Sequence, residues 1–137
     1  MNRVSLVLIS IILIGIGFQS CTKEDDLFDD GDARDIFLGS WSVNDECTKQ
    51  SYRSNISYDP SNSAQVLISN YANLNKTAKA VIAGNSIVIE TQDIGNDYSV
   101  SGYGKLSLNG EIINWTSHNF ETTGNQTECT ATYTKVK

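Results

Sequence analysis

From residue 37 to residue 136 apolar side chains recur at nearly every second position, and this period of two constrains the fold more than any other feature of the sequence. Successive side chains of a strand point to opposite faces, so such alternation marks strands with one buried and one wet face. Over residues 37–47 one face carries Phe37, Gly39, Trp41, Val43 and Cys47, and the other carries Ser40, Ser42, Asn44 and Glu46. Tyr52, Ser54, Ile56 and Tyr58 then alternate with Arg53, Asn55 and Ser57 before a turn at residues 59–62. Further strands are expected at 65–69, 78–83, 86–91, 98–108, 111–117 and 127–136, with an Asn-rich loop over 70–75. Gly84 with Asn85, and Asn109 with Gly110, suit two-residue hairpin turns that need positive φ. Over 98–108 the inner face holds Gly102 and Gly104, which signals a bend or a close backbone approach.

No segment has a convincing period of 3.6, and the domain is rich in Ser, Thr, Asn, Tyr, Ile and Val with Pro60 as the single proline. The fold class is therefore all-β. About eight antiparallel strands follow one another through short connections, and sequential strands usually pair with their neighbours. Such a meander leaves two open edges unless it closes. An eight-stranded up-and-down barrel is the expected architecture, with an orthogonal β-sandwich as the alternative.

The N-terminus speaks to compartment. Asn2 and Arg3 precede a run without charge from Val4 to Gly17. As a helix those residues span about 21 Å, short of the ~30 Å hydrocarbon core, which fits a signal-peptide core better than a membrane span. The string Phe18-Gln19-Ser20-Cys21 that follows resembles the lipobox of bacterial lipoproteins. The resemblance implies that residues 1–20 are removed on export and that Cys21 carries the lipid, with enough acyl chain to anchor stably in a membrane. Residues 22–35 then hold seven acidic groups against Lys23 and Arg34, a local net of −5 in a chain of −6. Such a run is self-repelling and poor in core formers, so residues 21–35 are expected to be a disordered tether. It also resembles the acidic export signal of surface lipoproteins in Bacteroidota, which implies the outer membrane, facing either the surface or the periplasm. Read as a calcium loop with Gly31 at its glycine position, it would put Phe28 and Phe37 where ligands are required, so no metal is expected there.

With Cys21 assigned to lipid, Cys47 and Cys129 remain, and in an oxidising compartment a disulfide between them is the economical reading. It would close a loop of about 80 residues and stabilise by about 4–5 kcal/mol in the chain-entropy account. Cys47 falls on the first strand and Cys129 on the last. The bridge would thus join the two edges of the meander, which supports the closed barrel over an open sheet.

On that frame, Gly39-Ser40-Trp41 on a first strand that runs into a Cys, together with the closing string Cys129-Thr130-Ala131-Thr132-Tyr133-Thr134, resembles the short lipocalin-like domains of Bacteroidota lipoproteins. The resemblance covers about residues 37–135. It implies a barrel domain over residues 36–137 and a small apolar or glycan ligand. The closing strand carries Lys135 where lipocalins place an Arg over the Trp.

Chemistry is sparse. His118, the single histidine, is expected to be exposed at a strand end, with no serine elbow to serve. Asp45 and Glu46 are adjacent and would point to opposite faces. No glycine-rich phosphate loop is present and no cofactor is implied. The domain is slightly acidic, which argues against nucleic acid. Trp41, Tyr52, Ile56, Tyr98, Trp115 and Tyr133, with Tyr58 and Ile113, are the candidates for the barrel interior, either lining a ligand cavity or packing as a filled core. Tyr71, Tyr103 and Phe120 are expected in loops or on the outer face as a contact site. Two non-enzymatic functions follow: a lipid-tethered barrel that holds a small ligand, or a solid barrel that presents loops to another envelope or host component.

Overall fold

A computed structural model describes residues 31–123 and 125–137. The leader, Cys21 and most of the acidic run lie outside the described residues. Among the described residues nine strands form in order: β1 (Gly39–Asp45), β2 (Gln50–Tyr58), β3 (Gln65–Ser69), β4 (Ala78–Ala83), β5 (Ser86–Asp93), β6 (Ser99–Leu106), β7 (Ile112–Thr122), β8 (Asn125–Thr127) and β9 (Ala131–Lys135). Each of β1 to β7 pairs antiparallel with the next. β9 pairs with both β7 and β1, which closes eight strands into an up-and-down barrel of the lipocalin-like type. The ninth strand, β8, is a short flap paired to the end of β7. Among the described residues no helix is long and apolar enough to cross a membrane.

The disulfide expected between Cys47 and Cys129 is formed, with Cα atoms 5.5 Å apart. Neither cysteine lies within a strand. Asp45 pairs with Ala131 at the end of the β1–β9 ladder, and the cysteines sit two residues beyond on each side. The bridge therefore staples the seam that closes the barrel.

The core is continuous and drawn from every barrel strand. Trp41, Trp115, Tyr133, Ile56, Ile68, Ile87 and Ile113 are fully buried, together with Phe37 and Tyr71. The last two come from outside the strands. Phe37 ends a 3-10 turn, Asp35–Phe37, at one end of the barrel, and its carbonyl accepts the Trp41 indole N–H at 2.8 Å. Tyr71 opens a second 3-10 turn, Tyr71–Asn73, in the loop after β3 at the disulfide end. Left-handed backbone at Asn70 and Asn73 lets this loop fold back over the barrel mouth, a conformation that Asn tolerates better than most residues. Tyr71 was expected on the outside, but the Asn-rich loop turns it inward as a plug. Lys135 on β9 has its Nζ 5.3 Å from the Trp41 ring centre and donates to the Ile36 carbonyl.

The packed domain begins earlier than residue 36. Arg34 pairs with Asp32, donates to the Asn62 and Gln65 carbonyls and lies 4.5 Å over the Tyr58 ring, while the Tyr58 hydroxyl bonds the Asp35 carboxylate. The last residues of the expected tether are thus seated on the barrel. The same contacts hold Tyr58 at the surface, 43 % exposed, although its parity on β2 had suggested the interior. Tyr98 also departs from expectation: it precedes β6 in a turn and is only half-buried.

The two glycine-containing turns behave differently. Ala83 pairs with Ser86, so Gly84 and Asn85 do make a two-residue turn. The second hairpin is longer. Ser107 N–H donates to the Ile112 carbonyl, Gly110 N–H to the Ser107 carbonyl, and the Asn109 side chain accepts the Glu111 N–H. These side-chain and turn bonds favour four intervening residues over two.

Candidate functional site

The polar chemistry of the barrel is concentrated at its disulfide end. Asp45 lies on the inward parity of β1 after Trp41 and Val43, and it is fully buried. Its Oδ1 accepts the N–H groups of Cys47 at 2.8 Å and Thr48 at 3.2 Å, which shapes the β1–β2 turn. Its Oδ2 has no hydrogen-bond partner among the described residues and stands 3.7 Å from Nδ1 of His118.

His118 overturns the expectation of an exposed residue, because none of its surface reaches solvent. A bulge on β7 is the cause. Gly104 pairs with Trp115 whereas Tyr103 pairs with Ser117, so Thr116 is an extra residue and the alternation flips beyond it. Ile113 and Trp115 point inward before the bulge, and His118 points inward after it. Its Nε2 lies 2.9 Å from the Tyr133 hydroxyl, and its ring centre is 4.3 Å from that of Tyr71. Burial lowers the His118 pKa from 6.5 to about 4, against the pull of the Asp45 carboxylate. The ring is therefore neutral at pH 7. Burial also raises the Tyr133 phenol well above its ordinary value. The Tyr133 hydroxyl thus holds Nε2, and the other ring nitrogen, Nδ1, is the one that faces Asp45.

Around this pair stand Trp115, 5.5 Å from the His118 ring centre, and Tyr52, whose phenol burial raises above its usual value. The Tyr71 hydroxyl donates to the Ser101 carbonyl at 3.0 Å. The group holds an acid, an imidazole and phenols, but Asp45, His118 and Tyr133 are sealed from solvent. As placed, they fix side-chain orientations and cannot meet a reactant from solution.

The expected interior residues divide cleanly. Trp41, Ile56, Ile113, Trp115 and Tyr133 are in the core, Tyr52 packs against it, and Tyr58 and Tyr98 do not enter it. Of the expected contact residues, Tyr103 is exposed at 37 %, Phe120 is half-buried, and Tyr71 is buried. Little room is left beside the two inward-facing glycines of β6. A Cβ added at Gly102 would fall 2.9 Å from the Tyr71 hydroxyl and 3.0 Å from the Trp115 ring; one at Gly104 would fall 3.0 Å from both Trp115 and Ile113.

The two grooves that stand out open on the outer wall. One, of about 560 Å³, runs beside the disulfide and is lined by Glu46, Thr116, Ser117, Asn119, Glu128 and Thr130 with both cysteines. A second, of about 210 Å³, lies over β3 to β5 near Lys79, Val81 and Val88. Donor atoms of Asp45, Cys47 and Cys129 lie within 4.8 Å of one another, but the two sulfurs are bonded to each other, so among the described residues this group is not a metal-ligand set.

Sequence reasoning missed both Asp45 and His118. The parity of Asp45 was available, since it sits between Val43 and Cys47 on the inner face. Nothing at Thr116 announced the bulge that turns His118 inward. Comparison of the chain with family models, with curated proteins and with solved structures gives no match.

Proposed function

We propose that the protein is a lipid-anchored lipoprotein of the bacterial cell envelope, held at the outer membrane through Cys21, whose barrel is a non-enzymatic interaction module and not a container for a small ligand. The observation that carries this reading is the filled interior. Eight strands enclose a space just wide enough for side chains, and here Trp41, Trp115, Tyr133, Phe37 and Tyr71 occupy it. Two of these rings are delivered by the turns that cover the barrel ends. A carrier of apolar molecules needs an apolar void of about 300 Å³ or more. The groove of comparable size is instead outside and polar, beside the disulfide. It is lined by hydroxyl, amide and carboxylate groups suited to a polar partner, such as a glycan or a protein loop of another envelope or host component. The resemblance of the leader to a lipobox, with the acidic run behind it, supports the anchor and the envelope location. The Gly39-Ser40-Trp41 and terminal Cys129 strings support kinship with lipocalin-like lipoprotein domains.

One experiment tests both halves. The Cys21→Ala chain should leave the membrane fraction, and native mass spectrometry of the released protein should give the mass of the bare chain. Continued membrane association overturns the anchor. A stoichiometric apolar molecule carried inside the barrel restores the ligand-carrier reading.

A further inference from the structure

We propose that Cys47 is a thiolation site: the Cys47–Cys129 disulfide exchanges with a small cationic thiol through its Cys47 sulfur, and Asp45 sets how readily it does so. The inference does not depend on how the chain is anchored.

Three observations separate this bridge from an inert staple. The two cysteines differ in access. Cys47 is exposed in the β1–β2 turn, whereas Cys129 is 5 % exposed. A groove of about 560 Å³ borders both of them, large enough to admit an amino-acid-sized thiol. Behind the sulfurs a fully buried carboxylate oxygen of Asp45 lies within 4.8 Å of each. Among the described residues the Oδ2 of that carboxylate has no hydrogen bond, and neither has His118 Nδ1, 3.7 Å beyond it.

Exchange begins with attack by a thiolate on a disulfide sulfur, and access decides which sulfur is struck. The external thiolate meets Cys47 Sγ. A bond forms between the external sulfur and Cys47, the Cys47–Cys129 bond breaks, and its electron pair leaves with the Cys129 sulfur. Cys129 then takes up a proton from solvent to replace the one the external thiol gave up. One thiol is consumed and one is made, so no separate oxidant or reductant is needed. The departing sulfur carries negative charge while the Asp45 carboxylate is close, and burial adds to that cost. Asp45 therefore slows opening of the bridge. It also keeps the freed Cys129 as a thiol, a poor nucleophile for reclosing, so the adduct persists once formed.

The charge of the groove selects the thiol. Glu46 and Glu128 both line it, and Lys49 pairs with Glu46 at 3.4 Å without lining the groove itself. A thiol that also carries an ammonium group is drawn to this rim, and one that carries a carboxylate is repelled. Thiolation would release the staple at the β1–β9 seam and place a new charged group in the groove proposed as the contact surface.

The test uses the full chain in a Cys21→Ala background with its disulfide formed. The protein is incubated at low salt with cysteamine or with 3-mercaptopropionate, quenched in acid and mapped by mass. Rates are corrected to the thiolate concentration of each reagent. The expected product is a mixed disulfide on Cys47 with Cys129 free for alkylation. Cysteamine should react several-fold faster, and added salt should narrow the gap. Asp45→Asn should accelerate the exchange about tenfold. Because Asp45 is buried, Glu128→Gln on the exposed rim provides an independent check, and it should reduce the preference for cysteamine. Adducts on Cys129, or on both cysteines equally in the Cys21→Ala protein, overturn the proposal. So does the absence of any adduct, an unchanged rate in a folded Asp45→Asn protein, or a thiol preference indifferent to Glu128→Gln.

Discussion

Asp45 and His118 face each other across 3.7 Å inside the barrel, and each is held by a different neighbour: Asp45 by the N–H groups of its own turn, His118 by the Tyr133 hydroxyl. Tyr71 and Trp115 pack on the imidazole and supply no charge. The consequence is a defined pH dependence. In the native state burial lowers the His118 pKa to about 4, while the unfolded chain protonates near 6.5. Between those values the unfolded state binds the proton and the native state does not, so stability falls as the pH falls. It is retained in full above about pH 6.5, and about 2–3 kcal/mol is lost by pH 4.5. Urea unfolding at pH 7 and pH 4.5 should show this loss, and the His118→Gln protein should show a shallower one. Equal slopes in the two proteins would remove His118 as the source.

At the scale of elements, β6 and β7 make the interior fit. Gly102 and Gly104 on β6 leave space that Trp115 of β7 fills, and the bulge at Thr116 brings His118 in above it. Gly102→Ala would put a methyl 2.9 Å from the Tyr71 hydroxyl and 3.0 Å from the Ser117 carbonyl, one of them backbone that cannot turn aside. Overpacking of this kind costs about 1–3 kcal/mol, seen as a lower urea midpoint with an unchanged slope. Gly84→Ala meets no atom within 4 Å, although its φ of +59° carries a separate backbone strain. Much of this was legible. Alternation located the strands, and two glycines on one face of β6 announced a close approach. The bulge was not legible, because any residue can serve as the extra one and Thr116 looks like its neighbours. The plug was hidden for a related reason: the Asn-rich loop has no period, and its left-handed residues place Tyr71 by backbone geometry that alternation does not encode.

For the whole molecule, the decisive step is closure. Sequence order alone leaves β1 and β7 apart, and β9 fills the gap by pairing with both. The positions of Cys47 and Cys129 made that legible, since a bond between the first and last strands needs their edges adjacent. Whether the enclosed space would be empty was not legible, because the same alternating aromatics can line a cavity or fill it. Trp41, Trp115 and Tyr133 would read alike in either case. The end-covering turns that bring Phe37 and Tyr71 inward decide it: Phe37 continues the alternation of the first strand yet sits in a turn, and Tyr71 lies in a loop without a period. The account therefore rests on a barrel that is both closed and filled. The most direct measurement is a nuclear Overhauser map of the protein. It should show cross-strand backbone contacts at both Val43–Tyr133 and Leu106–Ile113, with Trp115 ring protons against the α-protons of Gly102 and Gly104. Loss of the β1–β9 contacts would mean an open sandwich, and Trp115 free of both glycines would mean a hollow interior.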